Sequence, residues 1–95
     1  GGGAFVAEGK GFILGVIGQT PWSHARVAEE VLLYVVPEHR RSGIAQALVE
    51  ALEAWARAEG ATALRMTAQP GQGAAVALYA GLGFEPAEQA FLKVL

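Results

Sequence analysis

The chain has 95 residues, 53% of them hydrophobic and 17% charged, with a net charge of −2, a pI of about 5.6 and a mean hydropathy of +0.33. That is too apolar for a disordered segment and fits one small domain, which buries roughly 60–70% of the surface its unfolded chain exposes. The acidic balance lacks the basic footprint of a nucleic-acid binder, and the absence of cysteine rules out disulfides, thiolate metal sites and a cysteine nucleophile.

Residues 4–7 and 12–18 are apolar β-type runs joined by Glu8-Gly9-Lys10-Gly11, whose glycines accept the positive φ of a tight turn, so an antiparallel hairpin is predicted. Residues 19–24, with Pro21 and Trp22, form a loop. Residues 26–36 resume as a long strand that Pro37 ends. From Gly43 the period changes. Ile44, Leu48, Leu52 and Trp55 recur at helical spacing, and Gly60 stops the resulting amphipathic helix. A short strand over 63–68 follows. Pro70-Gly71-Gln72-Gly73 then turns into a second helix over 74–80, closed by Gly81-Leu82-Gly83, and residues 90–95 read as a final strand. The order β-β-β-α-β-α-β predicts an α/β sandwich, of the α+β kind, around a mixed central sheet in one domain spanning the whole chain.

The longest apolar stretches, such as residues 31–36, fall far short of the ~20 residues of a membrane-spanning helix, and no basic region with a cleavage site opens the chain. A cytoplasmic protein without a membrane or nucleic-acid partner is expected. Gly1-Gly2-Gly3 in place of an initiator methionine suits a fusion scar, a processed end or the edge of a longer chain alike.

Between the long strand and the first helix lies Arg40-Arg41-Ser42-Gly43-Ile44-Ala45. Small residues at a helix start let backbone amides approach an anion. The first helical amides have no internal partner, the macrodipole adds roughly half a positive charge there, and Arg40 and Arg41 can add charge-assisted bonds. The Walker pattern and the dinucleotide glycine pattern are both missing from this loop.

These residues resemble the GNAT superfamily of N-acetyltransferases. Its central motif, Arg/Gln-x-x-Gly-x-Gly/Ala after a strand ending Val-x-Pro-Glu, is matched by Val35-Val36-Pro37-Glu38-His39-Arg40-Arg41-Ser42-Gly43-Ile44-Ala45. A second signature, Leu-Tyr-x-x-x-Gly-Phe, is matched by Leu78-Tyr79-Ala80-Gly81-Leu82-Gly83-Phe84. The resemblance runs from about Phe5 to Leu95. The family's first strand and two following helices have no counterpart, so the chain looks truncated at its front. It implies acetyl-coenzyme A as co-substrate, no metal, and a small-molecule or peptide amine as acceptor. Pyrophosphate contacts are implied for Arg40 to Ala45, Leu33 is implied for the acetyl oxygen, Val35 for pantetheine, and Gln72 stands where many members carry Asn.

Transfer to an amine needs a base, an anchored carbonyl and a proton for the departing thiolate. Glu29 lies at the offset before Arg40 where some members place a catalytic glutamate, and strand alternation sends Glu30 to the other face unless a bulge intervenes. Solvated strand-end charges are the competing explanation of both. Tyr79 matches the family tyrosine that protonates the thiolate, or else is a core tyrosine. His24 and His39 are alternatives for acid–base work. Tyr34, Trp22 and Trp55 are assigned mainly to packing, with Trp22 also a candidate lining of the acceptor side. The competing function is a catalytically degenerate module of the same fold that binds acyl-coenzyme A or a protein. An open sheet edge and a bare apolar face predict a homodimer.

Overall fold

The structure, a computed structural model, describes residues 1–19, 25–68, 71–87 and 91–95. Trp22, His24, Pro21, Pro70, Gln89 and Ala90 lie outside the described residues.

The hairpin forms as predicted. Strand β1 (Gly2–Ala7) pairs antiparallel with β2 (Gly11–Gln19), and Lys10 N–H closes the turn on the Ala7 carbonyl at 2.8 Å. Strand β3 (Arg26–Val35) pairs antiparallel with β2, and β4 (Ala63–Arg65) adds a parallel edge, giving the order β1-β2-β3-β4. A single 3-10 turn at Pro37–His39 ends β3, because proline supplies no N–H to continue the ladder. Helices α1 (Ile44–Ala58) and α2 (Gly73–Gly81) complete the order β-β-β-α-β-α. No helix among the described residues is long and apolar enough to cross a membrane.

Helix α1 covers one face of the sheet. Ile13, Val35, Leu48, Val49 and Leu52 form a buried cluster ringed by Phe5, Leu33 and Trp55. Each fully buried aliphatic side chain contributes about 1.5–3 kcal/mol relative to exposure. Gly15 brings the helix close: a Cβ there would lie 2.6 Å from Leu52 Cδ1, so α1 can seat Leu52 against bare backbone. The other face stays open. The paired rows Val6–Phe12–Tyr34 and Ala4–Leu14–Leu32 run across it, and Val6, Leu32 and Tyr34 are exposed. Tyr34 packs tilted on Phe12 with centroids 6.1 Å apart, so its packing role belongs to this face and not to the core.

A bulge divides β3. The register with β2 passes from Leu14↔Leu32 to Gly15↔Glu30, leaving Val31 unopposed and exposed. The extra residue resets the alternation: Ala28 and Glu30 are buried before it, Val35 after it.

Two expected strands are corrected. The strand over 63–68 shortens to three residues, because β4 leaves β3 after the pair Glu29↔Arg65. The strand over 90–95 does not form in its described part. Residues 91–95 join no ladder, and Phe91, Leu92, Val94 and Leu95 are all at least 87% exposed. An apolar β-type run becomes a strand only where a neighbour offers backbone partners, and the edge strand β4 offers three residues.

Candidate active site

The loop before α1 has the form the anion argument requires. Gly43 caps the helix at φ 87°, ψ −1°, and Arg41 adopts φ 63°, a left-handed conformation that costs a non-glycine residue about 1–2 kcal/mol. The first helical bond runs from Ala47 N–H to the Gly43 carbonyl at 3.0 Å, so the amides of Ile44, Ala45 and Gln46 lead the ladder. No acidic residue occupies the first turn. These amides, the dipole and the exposed Arg41 fit a pyrophosphate.

Three details differ from expectation. Nothing lies within 4 Å of a Cβ built on Gly43, so its requirement is the positive φ and not crowding within the chain. Arg40 turns back, its Nε donating to the Val35 carbonyl at 3.0 Å, which fixes the loop to the strand end. Ser42 also turns inward, its hydroxyl donating to the His39 carbonyl. His39 thus serves the turn through its backbone, its N–H reaching the Val36 carbonyl at 2.9 Å.

Leu33 and Val35 present their amides to a gap. Val36 N–H bonds to the Lys10 carbonyl at 2.7 Å on the β2 side, so alternation turns the N–H groups of Val35 and Leu33 to the opposite edge. On that edge β3 pairs with β4 only from Val27 to Glu29. The splayed segment therefore offers two backbone donors in the same direction, ending beside the loop at α1.

The two glutamates separate as alternation predicts. Glu29 lies on the open face, about half exposed, with Arg65 Nε 3.8 Å from its carboxylate. Glu30 is 6% exposed on the helix-covered face. Its Oε1 accepts from Thr67 N–H at 3.4 Å and Thr67 Oγ1–H at 3.1 Å. Tyr79, half-buried on α2, donates its hydroxyl to the Thr67 carbonyl at 3.2 Å and meets Phe84 edge-on with centroids 5.9 Å apart. Burial first, and the Glu30 charge second, push its pKa above the ordinary 10.0.

Tyr79 and Arg65 both line a cleft of about 660 Å³ between β4, α2 and residues 84–87. Its lining also includes Met66, Thr67 and Ala68, the residues that follow β4 where it parts from β3. Gln72 precedes α2, and its carbonyl accepts from Ala75 and Val76 N–H at 3.1 and 3.2 Å. Trp55 packs under Gly3, where a Cβ would come within 2.7 Å of its ring. Sequence reasoning missed Arg65 and Thr67. Parallel pairing places Arg65 beside Glu29, and a bond from 37 residues away selects Thr67; neither leaves a local signal. Among the described residues no three His, Cys, Asp or Glu side chains group as metal ligands.

Residues 1–84 match the Acetyltransferase (GNAT) family. Human N-acetyltransferase 8 is 35% identical over 94 residues, 95% of this chain and 41% of that protein, and the rat protein of the same name is 34% identical over 100% of this chain and 45% of its own length. The chain thus spans less than half the length of these curated relatives. In fold it is similar to the aminoglycoside N-acetyltransferase AAC(6')-Iy in complex with a CoA-containing bisubstrate analogue, with a TM-score of 0.83 at 22% identity over 99% of this chain and 69% of that one. By sequence motif, sheet topology and family match together, this chain belongs to the GNAT family of acetyltransferases.

Proposed function

We propose that this chain takes the acetyl group of acetyl-coenzyme A and passes it to an amine by direct attack. The observation that carries the reading is the junction of β3 and α1. Two strand amides face a gap that runs toward a helix start whose loop is held open by left-handed residues 41 and 43. Human N-acetyltransferase 8 and the coenzyme-bound aminoglycoside enzyme support the same chemistry.

In this reading the amides of Ile44, Ala45 and Gln46, with Arg41, hold the pyrophosphate, and Val35 N–H holds the pantetheine. Leu33 N–H meets the thioester oxygen, where negative charge grows as the amine adds. Glu29 takes the amine proton directly or through water. The new C–N bond forms, the C–S bond breaks, and the sulfur takes the proton of Tyr79. The acceptor is a small molecule or peptide carrying a primary amine; an aminoglycoside is one such compound, acted on by a structural neighbour.

The test is binding before turnover. Acetyl-coenzyme A should raise the melting temperature by mass action. Gly43→Glu, which adds backbone strain and a like charge at the helix start, should weaken calorimetric affinity on the order of a hundredfold. Equal affinity in parent and variant overturns the loop assignment. Thiol release across an amine panel then tests transfer itself.

The open sheet face supports a second proposal, that two copies associate through it. Val6, Val16, Leu32 and Tyr34 are each more than 40% exposed there, and closed twofold pairing is the commonest way to cover such a surface. Light scattering on the eluting peak should give twice 9.9 kDa. A monomer at high micromolar concentration refutes the association.

A further inference from the structure

The proposed reaction uses Glu29 and leaves its neighbour unemployed. Burying a carboxylate costs several kcal/mol unless donors replace its water, and an apolar residue at the same place in a core is often no less stable. Among the described residues both donors to Glu30 come from Thr67, and Thr67 in turn holds the Tyr79 hydroxyl. Thr67 stands two residues past the end of β4, where no ladder bond to β3 fixes the backbone. A side chain from β3 does that work instead.

We propose that Glu30 is a positioning residue for Tyr79: its carboxylate pins Thr67, and the Thr67 carbonyl sets the phenol at the edge of the cleft. This rests on the proposed role of Tyr79 as proton donor. Glu30 stays on the helix-covered side and touches no substrate. It acts through one backbone carbonyl, and rotation of the Tyr79 hydroxyl about its C–O bond redirects the proton to the leaving sulfur.

The same carboxylate puts a negative charge beside the phenol, which favours its protonated form. The phenol is protonated at neutral pH with or without this charge, so the effect of Glu30 is to lower its readiness to release the proton and to shift its ionisation to higher pH. Other charged groups line the same cleft, Arg65 from β4 and Glu85 after α2. Helix α2 itself carries no charged residue. Changing residue 30 alone therefore isolates its contribution.

The experiment exploits the presence of two tyrosines in the chain. In a Tyr34→Phe background, Tyr79 is the single phenol, and its ionisation is followed by ultraviolet absorbance against pH. Glu30→Gln should keep the far-ultraviolet circular dichroism of its parent and move the phenol midpoint to lower pH. In thiol-release assays it should lower kcat about fivefold, the equivalent of one weakened hydrogen bond, leave KM for acetyl-coenzyme A unchanged, and move the alkaline limb to lower pH. A folded variant with an unmoved midpoint overturns the proposal. A moved midpoint in a protein that transfers acetyl to no amine upholds the Glu30–Tyr79 coupling and counts against the acetyltransferase reading instead. If Glu30→Gln does not fold, Thr67→Val replaces it. That variant removes the hydroxyl donor while keeping the branched shape, and should lower kcat by a similar factor with KM unchanged. Parent-like turnover in folded Thr67→Val overturns the proposal.

Discussion

The two ends of β3 share one strand and one pair of helices yet have opposite characters. From Arg26 to Glu30 the strand is held by β2 and, from Val27 to Glu29, by β4 as well, and its last buried side chain reaches onward to Thr67. From Val31 to Val35 it keeps β2 alone, and the amides of Leu33 and Val35 turn to the gap. The bulge at Val31 is the boundary. Side chains explain the anchored end, whereas the splayed end works through backbone groups on which residue identity has little bearing. In the proposed reaction one strand would thus carry a carboxylate for proton transfer at one end and oxyanion-type donors at the other, because its partner leaves it halfway.

The largest expected effect strikes the anchored end through its outermost member. Tyr79→Phe removes one hydroxyl and the bond to Thr67, and a general acid typically contributes 10²–10⁴-fold. Turnover should fall within that range while calorimetric affinity for acetyl-coenzyme A holds. Unchanged turnover in a chemistry-limited assay returns Tyr79 to a packing role.

An intermediate effect tests the boundary itself. Deleting Val31 joins the two registers, Leu14↔Leu32 and Gly15↔Glu30, into one regular ladder, so every buried side chain keeps its face. The fold should survive with a similar melting temperature. The straightened strand should follow β4 further and close the gap, lowering acetyl-coenzyme A affinity on the order of tenfold, the cost of roughly one or two lost backbone donors. Full affinity in the deletion would show that the splay does not depend on the bulge.

The smallest effect is a difference, the gap in rate between variants of the two adjacent acids. Glu29→Gln should slow transfer by about 10–100-fold, at or below the low end for a base that water can partly replace, and by more than the approximately fivefold of Glu30→Gln. The opposite ranking would exchange the two assignments. Because Glu29 is about half exposed beside Arg65, its loss should leave the unfolding free energy within about 0.5 kcal/mol of the parent's.

The sequence announced some of this and was silent on the rest. The hairpin turn, the long strand ended by Pro37, and the helix from Ile44 follow from local rules, because glycine, proline and a 3.6-residue apolar period act over a few residues. The loop at Arg40 to Ala45 was legible for the same reason. Its side-chain roles were not: Arg40 and Ser42, expected on the ligand, bond backward to Val35 and His39. The strand expected at 90–95 had the right composition and no partner where it is described, and β4 lost half its expected length.

What the sequence determined by itself was the order of elements up to α2, the face of α1 that would be buried, the family motifs and the separation of Glu29 from Glu30, all of which depend on neighbours within one or two turns of chain. What the tertiary structure alone decided was the bulge at Val31, the parting of β3 from β4, and the run from Glu30 through Thr67 to Tyr79. Each of these joins residues 12 to 37 positions apart or depends on register between strands. Register is set by summing many weak pairings across the sheet, and no short window of sequence contains that sum.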